Sequence, residues 1–341
     1  KPEDEESDYH KWNAILAGIK DEGEIVKDSR NLHINQERGY MNIFGISRFQ
    51  DEWTVALELN TFSDSEVYRD YNRNGFEQNQ WFNNAIDVVY EGEDLTISVA
   101  TKWQANEFQS QAESIPNILV TYGPKSIWNK RTHEIMQLEY ADRNVRNSFG
   151  QKEQAYSKLD FGYKSASSFR IRKGLTYIPS ISFRWQTFDV EGADSHTRSF
   201  WETGNEVNFT LHADYPLESA AWKTKELRHV MTFSAGHNHV HSLKGSTMAN
   251  SALIEPYLEN SNLGPVELLD YMDSDNLAPY EVIRIGWEHE LLNRGNGSYD
   301  LWADLQLYQD VWVDSSSTLL PNPYFYAQAR LHPARWLELD A

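Results

Sequence analysis

"VNFTLHADY", residues 207–215, alternates without a break. Val207, Phe209, Leu211, Ala213 and Tyr215 are apolar or aromatic, while Asn208, Thr210, His212 and Asp214 are polar. Successive side chains of a β-strand point to opposite faces, so a period of two predicts a strand with one apolar and one polar face. The pattern recurs along the chain. In "WTVALEL" (53–59), Trp53, Val55, Leu57 and Leu59 oppose Thr54, Ala56 and Glu58; in "LTISVATKW" (95–103), Leu95, Ile97, Val99 and Trp103 oppose Thr96, Ser98, Ala100 and Lys102. Segments 135–141, 157–163, 181–187, 283–291 and 301–308 read alike. From Tyr40 onward roughly thirteen such strands are expected, where a mean sheet has about five or six.

Before Tyr40 the pattern is absent. Residues 1–39 are acidic and loosely patterned, with one short helix predicted in "YHKWNAILAGIK" (9–20), and residues 40–341 form the β domain. The opening "KPEDEESDYH" has no basic and apolar leader, and the closing "RWLELDA" stops in mid-alternation, so both ends read as cuts.

Composition narrows the function. A formal charge of −20 argues against a nucleic-acid partner and fits poorly with simple adsorption to an anionic bilayer. The absence of cysteine removes disulfide frameworks, thiolate metal sites and cysteine nucleophiles. No eighteen-residue apolar run exists, which excludes a transmembrane helix and leaves strand crossings open. No G-x-S-x-G, phosphate loop or G-x-G-x-x-G occurs, and Asp314 with Ser315–Ser317 reads as a loop. "NRGNGS" (293–298) reads as a tight turn. Neither an enzyme nor a cofactor is expected.

Short and long connections alternate along the chain, which gives an antiparallel sheet short turns at one end and long loops at the other. Aromatic residues gather near segment ends, at Trp53, Tyr90, Trp103, Tyr122, Tyr140, Tyr215 and Trp312. The polar face carries Glu58, Lys102, Glu139, Asp160, Arg184, His212 and Asp214. These features together predict an all-β fold, an antiparallel transmembrane β-barrel with aromatic girdles and a polar lumen. A large soluble β protein would alternate in the same way, and this alternative stays open.

"LRHVMTFSAGHNHVH" (227–241) ends on His237, His239 and His241, residues that invite a metal reading. On one strand, same-face residues lie roughly 6.5–7 Å apart, too far for one ion to reach all three imidazoles. Leu227 to Ala235 matches the roughly 9–11 residues of one tilted crossing, which sets the three histidines at the membrane rim, just before the longest loop, 242–279. No metal is assigned to them.

Several segments together resemble a known family. "EWTVALELNTFSDSEVYRDYNRNGFEQNQ" is similar to a strand and loop of the lipopolysaccharide-assembly outer-membrane proteins, the LptD family, with Ser63, Asp64, Tyr68, Asp70 and Tyr71 at matching positions. "VVYEGEDLTISVATKWQANEF", "ESIPNILVTYG", "ELRHVMTFSAGHNHVHS", "DNLAPYEVIRIGWEHELLNR" and "SYDLWADLQLYQDV" resemble later strands of that family, in its order, over 40–341. There are departures: Phe233 stands where the family has proline, and His237 and His239 stand at tyrosine positions. The family's signal peptide, jellyroll and first strands would precede Lys1, and its last strands would follow Ala341.

The resemblance implies a bacterial outer-membrane barrel that inserts lipopolysaccharide into the outer leaflet. Its partners would be lipopolysaccharide, an LptE-like plug lipoprotein, a periplasmic Lpt bridge and outer-membrane lipids. Candidate lumen contacts are Glu58, Lys102, Arg184, His212 and Asp214, with Leu57, Ile97, Phe209 and Leu305 facing lipid. A passive porin-like channel and a secreted glycan-binding β protein are the alternatives.

Overall fold

In a computed structural model of the chain, residues 8–20, 27–28, 30–78, 82–128, 130–219, 224–245, 266–270, 277–294, 299–315, 324–334 and 337–340 are described. Strands dominate: β1 (Tyr9–Lys20), β2 (Glu37–Phe49), β3 (Trp53–Phe62), β4 (Ala85–Glu91), β5 (Leu95–Lys102), β6 (Gln111–Ile127), β7 (Thr132–Arg146), β8 (Lys152–Ser167), β9 (Phe169–Arg172), β10 (Leu175–Val190), β11 (His196–Ser219), β12 (Thr224–Lys244), β13 (Tyr280–Arg294), β14 (Tyr299–Ser315), β15 (Tyr324–Ala334) and β16 (Leu337–Asp340). They form one antiparallel sheet in which each strand pairs with the next in sequence, except that β9 lies off the path and pairs with β10. β1 and β16 are its edges, and the sheet is not closed among the described residues. Two short helices, α1 (Val67–Tyr71) and α2 (Arg73–Gln78), sit in the connection after β3. No described helix is long and apolar enough to cross a membrane.

The alternation read from the sequence becomes pairing with a definite register. His212 lies opposite Val230, and Phe209 opposite Phe233, so each strand keeps one face throughout the β11–β12 pair. Connections 50–52, 92–94 and 220–223 alternate with 63–84, 103–110 and 245–279. The exception to the short-and-long rule is 168–174, lengthened because it holds β9. Residues 295–298 of the expected tight turn lie outside the described residues, but Arg294 pairs with Tyr299 on either side of them. Ser315 ends β14, and Ser316 and Ser317 lie outside the described residues.

One expectation is corrected. Residues 9–20 are not a helix but the edge strand β1, paired with β2 from Tyr9 opposite Arg48 to Lys20 opposite Glu37. The Trp12 ring lies flat over Gly45, where any Cβ would collide with it, and its Nε1–H donates to Ser47 Oγ at 3.0 Å. A neighbouring strand offers a full ladder of partners, and local helix preference is too weak to compete.

The chain divides into two compact units. Unit 1 comprises Lys1–Pro124, Ile135–Phe161 and Trp185–Thr197. On one face of its sheet Trp53, Ile86 and Val99 are exposed, and the Trp53 and Tyr90 rings meet at 5.0 Å. The other face holds buried polar groups: Lys158 donates to Glu139 at 2.8 Å, and Gln186 donates to Asp160 at 2.7 Å. Pairing of β3 with β4 stops at Glu58 opposite Ala85. Beyond it, the backbone of β3 is completed by side chains, with Asn60 N–H donating to Asn84 Oδ1 at 2.6 Å and Phe62 N–H to Asn106 Oδ1 at 2.8 Å.

Unit 2 comprises Lys125–Glu134, Gly162–Arg184 and Arg198–Ala341. Val207, Phe209, Leu211, Phe233, Ile285 and Trp287 are exposed on one face. Arg198, Arg184, Ser182, Glu202, Asn238 and Asp310 are buried on the other. Its apolar cluster is small and sits at the long-loop end, where Phe200, Val240, Val282 and Trp312 pack against Val266, Leu268, Leu269 and Leu277 of the β12–β13 connection.

Candidate functional site

The polar face of unit 2 borders an open cavity of about 800 Å³, a size typical of ligand sites. Because side chains alternate, β10 to β14 each send every second residue toward it: Thr176, Ile178 and Ser180; Glu206, Asn208 and Thr210; Thr232, Ser234 and Asn238; Arg284 and Glu288; and Tyr308. The intervening residues Val207, Phe209, Phe233, Ile285 and Trp287 point the opposite way and stay exposed. Gly204, Gly236 and Gly286 keep the polar surface open; a Cβ at Gly286 would strike Ser234 Oγ and Tyr308.

Charge in the cavity is held by hydrogen bonds. Arg284 forks onto Asp310 through Nε and Nη2 at 2.7 and 2.8 Å, and its guanidinium lies 5.8 Å from the Tyr308 ring. Tyr308 Oη–H donates to Glu288. Along the same face, Arg330 binds Asp304 at 3.0 Å. Such paired, planar contacts leave hydroxyl, amide and carboxylate oxygens as the available ligand groups, a surface for polyhydroxylated or cationic headgroups rather than for apolar chains.

One wall is supplied by the long connection. Val266, Glu267 and Asp270 line the cavity. Their segment is fastened by main-chain contacts: Arg184 Nη1 donates to Leu268 O at 2.9 Å, Leu268 N–H to Glu202 at 3.1 Å, Tyr280 Oη–H to Val266 O at 3.0 Å, and Arg198 Nη1 to Leu277 O at 3.3 Å. Lys164 Nζ pairs with Glu267. Buried charges thereby satisfy backbone groups of an otherwise irregular segment.

The five sequence-predicted lumen residues fall in three places. Arg184 is buried in the fastening just described. Glu58 and Lys102 share one row of unit 1, flanking Ala85, and Glu58 accepts from Asn60 Nδ2 at 3.0 Å. His212 and Asp214 are exposed toward the short-turn end of β11, where Asp214 binds Arg228 at 2.6 Å and Arg228 lies 4.4 Å from the Tyr299 ring. Strand alternation alone singles out neither Glu202 nor the 266–270 segment. Their one sequence signal was the apolar spacing of Val266, Leu268 and Leu269 inside a loop.

His237, His239 and His241 lie on the face opposite the cavity. His237 Nε2 is 2.9 Å from Glu281 Oε1, the His239 and His241 rings meet at 3.6 Å, and His241 stacks on Trp201 at 4.6 Å. Among the described residues no group of three or more His, Cys, Asp or Glu is placed to hold a metal ion. The "SDSEVYRDY" segment builds a compact element in unit 1: Arg38 binds Asp64 at 2.7 Å and Asp70 at 3.1 Å and lies 5.4 Å from the Tyr71 ring, while Tyr68 packs on Tyr40 and Phe82.

No protein-family model matches the chain, and no curated protein matches it.

Proposed function

We propose that this chain forms wall of a bacterial outer-membrane β-barrel of the lipopolysaccharide-assembly type, with the exposed apolar face against lipid and the polar face toward a lumen. The observation that carries it is the inversion of the faces. Val207, Phe209 and Leu211 are about two-fifths exposed, while Arg198 and Glu202 on the same strand are buried. In water this arrangement would forgo roughly 0.6–1.2 kcal/mol for each of these side chains, two-fifths of the value for full burial. In a bilayer the same residues are solvated by acyl chains, and polar groups gather inside.

The remaining parts fit transport of an amphipathic lipid. Hydroxyls and amides around the cavity suit the sugars of a headgroup whose acyl chains stay with the apolar exterior. Ser63, Asp64, Tyr68, Asp70 and Tyr71, which carry the family resemblance, build one interlocked loop element rather than scattered surface residues. Lipopolysaccharide, a plug lipoprotein, a periplasmic bridge and outer-membrane lipids are the partners of this role.

The test is made in a diderm bacterium depleted of its own lipopolysaccharide-assembly protein. The protein should fractionate with the outer membrane, migrate faster in SDS gels before boiling than after, and restore surface lipopolysaccharide. Recovery in the aqueous phase without detergent would overturn the membrane role. Outer-membrane insertion with open-pore conductance and no restored lipopolysaccharide would leave a passive channel, the reading that the polar cavity taken alone favours.

A further inference from the structure

Two neighbouring turns of unit 2 carry a positive patch that the overall charge of −20 conceals. Residues 128–131 join β6 to β7, and 168–174 join β8 to β10 by way of β9. They are fastened together: Ser168 N–H donates to Arg131 O at 2.8 Å, and the Thr132 and Ser167 hydroxyls meet at 2.9 Å. β9 folds back on β10 with Arg170 opposite Thr176. Gly174, at φ +82°, accepts from Thr210 N–H at 2.8 Å, in a place where a Cβ would strike the Thr210 carbonyl. The turns are therefore held by the sheet rather than left to wander.

Between them lies a cleft of about 310 Å³ lined by Lys130, Arg131, Ser168, Phe169, Arg170 and Thr176, with Arg172 and Lys173 exposed alongside. None of these five cations is ion-paired among the described residues, whereas Arg228 of β12 and Arg294 of β13, on the strands beside the next short connections, are each matched by an acid. Interleaved with them are Trp128, Phe169 and Ile171, exposed by 81, 44 and 58%. Unpaired cations alternating with exposed aromatic and aliphatic side chains are what an acyl–headgroup boundary accommodates; an acidic polypeptide would gain nothing from the apolar half.

We propose that this cleft binds the phosphate of an anionic phospholipid headgroup. Lys130, Arg131 and Arg170 surround the phosphate, the Ser168 hydroxyl donates to it, and Trp128, Phe169 and Ile171 enter the adjoining acyl region. The site rests on the membrane reading above, in which the short-turn end meets one leaflet. It would fix the height of the wall in the bilayer and gather anionic lipid at that rim.

The full chain is inserted into vesicles of phosphatidylcholine and phosphatidylglycerol, with bromine on the acyl chains of one lipid or the other. Quenching of Trp128 is read as the difference between the unmodified protein and Trp128→Phe. Brominated phosphatidylglycerol should quench more strongly than brominated phosphatidylcholine at equal content. Arg131→Glu with Arg170→Glu should lower that preference roughly tenfold or more, and Arg131→Lys with Arg170→Lys should keep most of it. Equal quenching by both lipids in a carbonate-resistant, inserted protein overturns the site and spares the membrane reading. Loss of the protein from vesicles on carbonate washing overturns both. Binding of inorganic phosphate or polyglutamate with no phosphatidylglycerol preference overturns the lipid as its ligand.

Discussion

Arg38 and Asp64 face each other as a two-pronged pair, with Arg38 Nε 3.0 Å from Asp64 Oδ2 and Nη2 2.7 Å from Oδ1, both side chains buried. Burial alone would raise the Asp64 carboxyl; the Arg38 guanidinium, the Ser63 hydroxyl and the Glu66 N–H outweigh it and hold the group below its ordinary value. A carboxyl depressed in the folded state stabilises above its unfolded pKa of about 3.9 and loses that contribution as pH falls through the lower folded value. Acid should therefore loosen the 63–78 loop below about pH 4. Limited proteolysis across pH 3–7 checks it: Asp64→Asn should be cleaved in this loop already at neutral pH and show little further change with acid.

The two faces of β11 predict opposite responses to one substitution. Leu57→Arg should cost roughly 2–4 kcal/mol where it meets the bilayer core, and Phe209→Arg, next to the Thr210–Gly174 contact at the short-turn rim, should cost less but still be clearly destabilising. Thr210→Arg, on the cavity side, should be far milder. Urea unfolding in bilayers measures the difference, and equal costs on both faces would show that neither is in lipid.

Lys158 is buried against Glu139 at 2.8 Å. Removing Lys158 leaves Glu139 with the longer contact to Arg143 at 3.6 Å, so Lys158→Met should destabilise by about 3 kcal/mol, the low end for a broken buried pair. Adding Glu139→Gln should recover much of this. A double-mutant cycle that comes out additive would mean the pair is not coupled.

The 266–270 segment is fastened through Arg184, Glu202 and Lys164. Arg184→Ala with Glu202→Ala should free it, enlarging single-channel conductance and exposing the Val266–Leu269 stretch to protease. Unchanged conductance would show that the segment does not obstruct the path.

Replacing His237, His239 and His241 together by tyrosine keeps amphipathic rings beside Trp201 and so should preserve assembly. The expected loss is confined to the Glu281 contact of His237. A strong zinc-dependent change in the melting temperature of the unmodified protein, absent from the variant, would instead restore a metal role.

Legibility in the sequence followed the range of the interaction. The period of two in 207–215 depends on neighbours along one strand, and it correctly separated Phe209 from Thr210. The turn asymmetry was equally plain, apart from 168–174, where β9 adds a hairpin that no periodicity announces. The 9–20 segment carries no such signal because its strand character comes from β2, beginning at Glu37. Net charge was a poor guide for the same reason: it summed away Lys130, Arg131, Arg170, Arg172 and Lys173, which two separate turns bring together.

What the amino-acid order determined by itself was the all-β class, the two-faced character of each strand and the placing of the histidine row on the apolar face, since backbone geometry enforces alternation whatever the partner. Only the tertiary structure decided which polar residues meet. It set Arg184 and Glu202 beneath Leu268, Arg284 on Asp310, and Glu58 in a row with Lys102. Those pairings depend on strand register and on the path of one long connection, and a register is settled by the summed fit of whole strands rather than by any residue in them.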